Sequence, residues 1–124
     1  MAKHKLFVYG TLRPGNSRTY EIPGELYDLG WFPGVKLTTE TNSHFVVEII
    51  EASDERLEEL DRYEGYRPDQ EPSSLYLRRE ITVDGIKGWI YIYNHPLDKF
   101  KYIPGGDWLK RKEGEEMIEE VGVA

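Results

Sequence analysis

Short apolar runs, each broken by Gly, Pro, Asn, Asp or Ser, dominate the pattern along this chain. They predict a protein built mainly of strands. Leu6-Phe7-Val8-Tyr9, within residues 4–9, predicts a first strand that Gly10 stops. Residues 10–23 read as a loop, with Pro14-Gly15-Asn16-Ser17 as turn residues and Pro23-Gly24 as a second break. Loose alternation over 25–31 predicts a strand, Pro33-Gly34 a turn, and residues 35–39 a short strand. Phe45-Val46-Val47-Glu48-Ile49-Ile50, within residues 44–52, predicts a well-buried strand.

The periodicity then changes. Leu57, Leu60 and Tyr63 or Glu64 share one face at helical spacing, Ser53 is a good N-cap, and Asp54 and Glu55 suit the positive end of a helix. Gly65 is a C-terminal stop. Glu64 has two readings: a carboxylate projecting to the buried side with Leu57 and Leu60, or one carried to water by a fraying helix end. Residues 67–74 read as a polar, proline-punctuated loop able to move and to border a site. Residues 75–83 and 87–94 predict two strands joined at Asp84-Gly85, a strong hairpin signal. Residues 96–106 form a loop, Asp107 caps a last short helix docked by Trp108 and Leu109, and residues 115–121 add a turn or two of acidic helix. About six strands and two or three helices, with no repeat and no linker, predict a single α+β domain over residues 1–124: a small mixed β-barrel with flanking helices.

Composition narrows the function. The net charge of −7 argues against a nucleic-acid partner. The acids concentrate in residues 40–72 and the bases in residues 73–112, a pattern read as solvated faces. Without cysteine, disulfides and thiolate metal sites are excluded. No apolar run approaches the ~20 residues of a membrane helix, and Met1-Ala2-Lys3-His4-Lys5 lacks the apolar stretch of a signal peptide. The expected location is the cytoplasm. His4, His44 and His95 have no metal-ligand spacing, and no nucleophile elbow or phosphate-binding glycine loop occurs.

What remains is a turn at Gly10 able to offer backbone N–H groups, a suspect glutamate and several tyrosines. A carboxylate in a partly apolar pocket has a raised pKa and can act as general base or acid. Backbone donors can hold a substrate carboxylate or an oxyanion. Arg13 and Arg18, in the loop after the turn, either meet solvent or favour a carboxylate near it. These parts fit acyl transfer in which the substrate supplies its own nucleophile.

Tyr9-Gly10-Thr11-Leu12 after the first strand, Leu60-Asp61-Arg62-Tyr63-Glu64-Gly65 at a helix end, the Tyr76 strand and Gly105-Gly106-Asp107-Trp108 together resemble the γ-glutamylcyclotransferase-like family. The resemblance runs from about residue 5 to residue 112 and lies nearest the γ-glutamylamine and avirulence-induced branch. It implies a small barrel with a cavity at one end. It implies that Tyr9, Gly10, Thr11 and Leu12 bind the γ-glutamyl part of a small-molecule substrate, that Glu64 is the catalytic acid–base, and that Tyr76 and Tyr91 line the substrate. The implied reaction releases 5-oxoproline from a γ-glutamyl amine or γ-glutamyl amino acid and needs no metal or organic cofactor. Two readings without this reaction share the chain: a binding module for a small acidic metabolite in the same cavity, and a protein scaffold using the acidic segment 40–72.

Overall fold

A computed structural model describes residues 3–40 and 42–111. Seven strands and one α-helix appear among them: β1 (Lys3–Val8), β2 (Thr19–Asp28), β3 (Pro33–Leu37), β4 (His44–Ser53), α1 (Asp54–Tyr63), β5 (Tyr76–Val83), β6 (Ile86–Tyr93) and β7 (Lys101–Tyr102), with a 3-10 turn at Glu71–Ser73. The main sheet runs β3-β2-β4-β1-β6-β5, and β7 joins β2. Among the described residues only the β1–β6 pair is parallel, through Leu6 opposite Trp89. The sheet is therefore mixed, and it curls until β3 approaches β6. The result is a half-barrel with one helix on its outer face. The flanking helices expected from the sequence reduce, among the described residues, to α1 and short turns. The acidic segment 115–121 lies outside the described residues.

The apolar run at 6–9 has no polar alternation because both faces of β1 are covered. Phe7 and Tyr9 point into the curl with Phe45, Val47 and Ile90. Leu6 and Val8 point outward, beneath α1, with Leu60, Tyr76 and Tyr91. Helix α1 docks on β1 and β4 through this outer layer. Ser53 Oγ accepts the Arg56 N–H at 3.1 Å, the N-cap bond expected from the sequence. At the other end, Tyr66 N–H reaches the Asp61 carbonyl at 2.8 Å and Gly65 N–H the Arg62 carbonyl at 3.2 Å. With Gly65 at φ 69°, this is a Schellman closure. It leaves Glu64 as the C-cap residue, fixed in direction rather than frayed.

Three expectations are corrected. Pro23-Gly24 does not end a loop; it lies inside β2, where the strand leaves β4 and begins to pair with β3. Glycine is needed there because a Cβ would stand 2.4 Å from the Lys36 carbonyl oxygen, so the two strands could not approach. Residues 67–74 are tethered, not loose. The buried Ser74 accepts the Arg67 N–H, and Asn94 Nδ2 donates to the carbonyls of Glu71 and Ser74. Asp107 caps the following turn by accepting the Leu109 N–H at 3.1 Å, and Trp108 is buried, but Leu109 faces water. The Asp84-Gly85 hairpin is as expected, with φ of 51° and 77°, both positive as a type I′ turn requires.

Candidate active site

The end of β1, the turn after it, the C-terminus of α1 and the adjoining parts of β5 and β6 enclose a cavity of about 280 Å³. Tyr9, Gly10, Thr11, Leu12, Glu64, Tyr76 and Tyr91 all line it. These are the seven residues singled out from the sequence, brought from four separate segments to one place.

The turn is closed by Arg13 N–H donating to the Gly10 carbonyl at 3.0 Å. Among the described residues no acceptor takes the N–H of Thr11 or Leu12. Both donors are thus available to a ligand. Gly10 is required for a reason other than a left-handed backbone. A Cβ on it would lie 2.6 Å from Pro33 Cγ, so glycine lets the start of β3 press against the turn. Gly10→Ala is expected to lower stability by about 1–3 kcal/mol, the usual cost of forcing extra volume into a packed site. The midpoint of urea unfolding checks it.

Arg13 faces neither solvent nor substrate. Its side chain is 4% exposed and bridges two carboxylates of the protein itself: Nε donates to Glu48 Oε1 and Nη1 to Asp107 Oδ1, both at 2.8 Å. Glu48, from the middle of β4, is fully buried. Its oxygens also accept the Gly15 and Ser17 N–H groups and the Ser17 hydroxyl. Burial alone would push this carboxyl up. The Ser17 hydroxyl, the Arg13 guanidinium and the two backbone donors outweigh it and hold the carboxyl at about 2. The ionised Glu48 pins the whole 13–17 loop to the sheet, and with it the far side of the cavity turn.

Glu64 is the opposite case. Its carboxylate is half-buried, and among the described residues nothing hydrogen-bonds or ion-pairs with it. Burial pushes its carboxyl up to about 7. Among the described residues no other charged side chain lines the cavity.

The tyrosines around it are already engaged. Tyr9 donates its hydroxyl to the Tyr91 carbonyl at 2.5 Å, Tyr76 to the Pro33 carbonyl at 2.6 Å, and Tyr91 to Asp61 Oδ1 at 2.7 Å. Burial, reinforced by the nearby Glu64, pushes all three phenols up. They form a neutral wall. Tyr91 faces the cavity, whereas Tyr93, on the same side of β6, packs against Tyr76, His95 and Phe100.

The sequence reading missed the support under this wall and the apolar mouth above it. Asp61, one helical turn before Glu64, takes both Nε and Nη2 of Arg78, which stacks on Trp89 with its guanidinium carbon 4.3 Å from the ring centroid. An Asp three residues before Glu64 was a visible signal, since such pairs share a helix face. Phe7 and Val8 from β1, with Trp31, Phe32, Pro33, Tyr63 and Leu75, complete the lining among the described residues. Among the described residues no cluster of His, Asp and Glu suits a metal ion, and no helix is long and apolar enough to cross a membrane.

A family model described as gamma-glutamyl cyclotransferase, AIG2-like, matches residues 6–110. The gamma-glutamylcyclotransferase family protein YtfP of Escherichia coli K12 is 31% identical over 119 residues, which are 86% of this chain and 97% of that protein. The gamma-L-glutamyl-butirosin B gamma-glutamyl cyclotransferase of Niallia circulans is 33% identical over 120 residues, covering 83% of this chain and 74% of its own. In fold, the chain is similar to a crystal structure of an uncharacterized protein from Pyrococcus horikoshii. The TM-score is 0.70 at 18% identity, over 92% of this chain and 97% of that one.

Proposed function

Because the chain belongs to the gamma-glutamyl cyclotransferase, AIG2-like family, we propose that it is a 5-oxoproline-forming enzyme acting on a small γ-glutamyl compound, with Glu64 as general base and acid. The observation that carries this reading is the Glu64 carboxylate: unpartnered among the described residues, poised at about 7, and in one cavity with the free N–H donors of Thr11 and Leu12. A base with a pKa near the working pH combines a useful deprotonated fraction with enough proton affinity.

The α-carboxylate of the substrate takes the Thr11 and Leu12 N–H groups, since among the described residues no cationic side chain lines the cavity to compete for it. Glu64 takes a proton from the substrate's α-ammonium. The freed lone pair attacks the γ-carbonyl carbon, and the bond from that carbon to the departing nitrogen breaks as Glu64 returns the proton to it; the second proton, shed by the new ring nitrogen, passes through the same carboxylate to the departing amine, which leaves as an ammonium. The ring closes as 5-oxoproline and the carboxylate is regenerated. Holding amine and carbonyl in ring-closing geometry supplies much of the rate, as in other intramolecular acyl transfers. The raised pKa values of Tyr9, Tyr76 and Tyr91 keep these neighbours neutral throughout.

The test is 5-oxoproline release from simple γ-glutamyl amides, followed as a function of pH. With Glu64 as base, kcat/KM is expected to rise through an apparent pKa of about 7 and to level off above it. A folded protein that binds a small acid in this cavity but releases no 5-oxoproline would sink the proposal in favour of a binding module.

A further inference from the structure

Six large apolar side chains are exposed among the described residues, and four of them stand at one cavity mouth. Trp31 is 90% exposed, Tyr63 77%, Phe32 40% and Leu75 38%. They come from three separate segments: the β2–β3 connection, the last residue of α1, and the residue before β5. Exposed apolar groups scattered singly need no explanation, but a patch gathered around a concave site marks a surface that something apolar covers.

The patch is held in place. Asp28 Oδ1 accepts the Gly30 N–H at 2.8 Å and Leu29 N–H donates to the Phe32 carbonyl at 3.0 Å, which fixes the turn carrying Trp31. Phe32 leans on the Tyr76 ring, with centroids 6.3 Å apart. Leu75 N–H donates to the Gly65 carbonyl at 3.0 Å, tying the rim to the turn beside Glu64. Tyr63 is adjacent to Glu64 itself.

Resting on the cyclotransferase reading above, the geometry points to the leaving group: a hydrophobic amine of aryl-alkyl type, seated among Trp31, Phe32, Tyr63 and Leu75. The glutamyl end uses the polar inner part of the cavity, the turn and Glu64. The substituent on the amide nitrogen then lies at the mouth, where the lining is aromatic or aliphatic. An aryl ring there gains offset or edge contacts with three aromatic side chains. A leaving amino acid would place a second carboxylate at a mouth whose lining, among the described residues, holds no Lys, Arg or His to receive it, with Glu64 repelling it.

The experiment compares 5-oxoproline release from γ-glutamyl-phenethylamide, γ-glutamyl-ethylamide, γ-glutamylphenylalanine and ε-(γ-glutamyl)lysine. The phenethylamide is expected to exceed the ethylamide in kcat/KM by about tenfold or more, the discrimination an apolar pocket gives a substituent of this size. It should exceed γ-glutamylphenylalanine, which has the same ring plus a carboxylate, by a similar factor of about ten. In Trp31→Ala, whose side chain is outside the core, the ratio of phenethylamide to ethylamide rates should fall to about two or less. Comparable rates for ethyl and phenethyl, or preference for the phenylalanine or lysine compound, would overturn this inference and leave the cyclotransferase reading standing. No release from any of the four would overturn both.

Discussion

Glu64→Gln is expected to lower 5-oxoproline release by about 10³-fold, within the 10²–10⁴ range that a positioned general base contributes. The same variant should be as stable as the parent, or more so. The carboxylate has no partner among the described residues, so a neutral amide of the same shape breaks no ion pair. Its pKa is pushed up by burial, from 4.5 to about 7. The folded state therefore holds this proton to higher pH than the unfolded chain does. Between those two values folding binds protons, and stability falls as pH rises. Above about 7 the full penalty of a half-buried carboxylate is present. Glutamine carries no such penalty. The melting temperature of Glu64→Gln should match the parent near the unfolded pKa and exceed it at neutral and alkaline pH. Kinetics and melting curves at two pH values suffice. An undiminished rate would remove Glu64 from the mechanism, and a variant less stable at every pH would give it a structural role.

Much of this architecture was legible because local patterns agreed with the final fold. The run at 6–9 needed no alternation because both faces of β1 are buried. Ser53 and Gly65 marked the ends of α1 through hydrogen bonds made within a few residues of themselves. The seven candidate residues converge because β1 and α1 both end at the same rim of the half-barrel. Features that depend on distant partners were hidden. Glu48 sits among Val46, Val47, Ile49 and Ile50, and nothing nearby in sequence announces that its partners come from residues 13–17. Arg13 looked like a solvent or substrate residue because Glu48 and Asp107 are far along the chain. The two-residue β7 is too short to show any period. Trp31 looked like the end of a strand. The sharper signal was an aromatic pair, Trp31-Phe32, between Gly30 and Pro33, where a turn would otherwise be polar.

Removing Glu48 is expected to have the largest effect on stability. Glu48→Ala should cost about 3–5 kcal/mol, the range for breaking a buried ion pair and leaving its partner uncompensated. Arg13 would keep only Asp107, and the Gly15 and Ser17 N–H groups and the Ser17 hydroxyl would lose their acceptor inside the fold. Arg13→Ala should be comparably harmful, because it strands the Glu48 carboxylate in the core. The acid response has a defined sign. The folded carboxyl sits at about 2, below its ordinary 4.5. Its contribution is therefore complete above the unfolded value and is lost as pH falls through the folded one. Glu48→Ala should flatten that part of the acid-unfolding curve. The cycle with Arg13→Met and Glu48→Leu separates pairing from burial. If the pair serves mainly to avoid stranded charge, the double variant will be more stable than either single one. If the double is as unstable as the sum of the singles, the two residues act independently. The same loop sets the cavity turn, because Arg13 N–H closes it onto the Gly10 carbonyl while the Arg13 side chain anchors it to β4. A folded double variant should therefore show a raised KM for γ-glutamyl amides with a smaller change in kcat. The Thr11 and Leu12 donors would be less well placed while Glu64, held by α1, stays where it is.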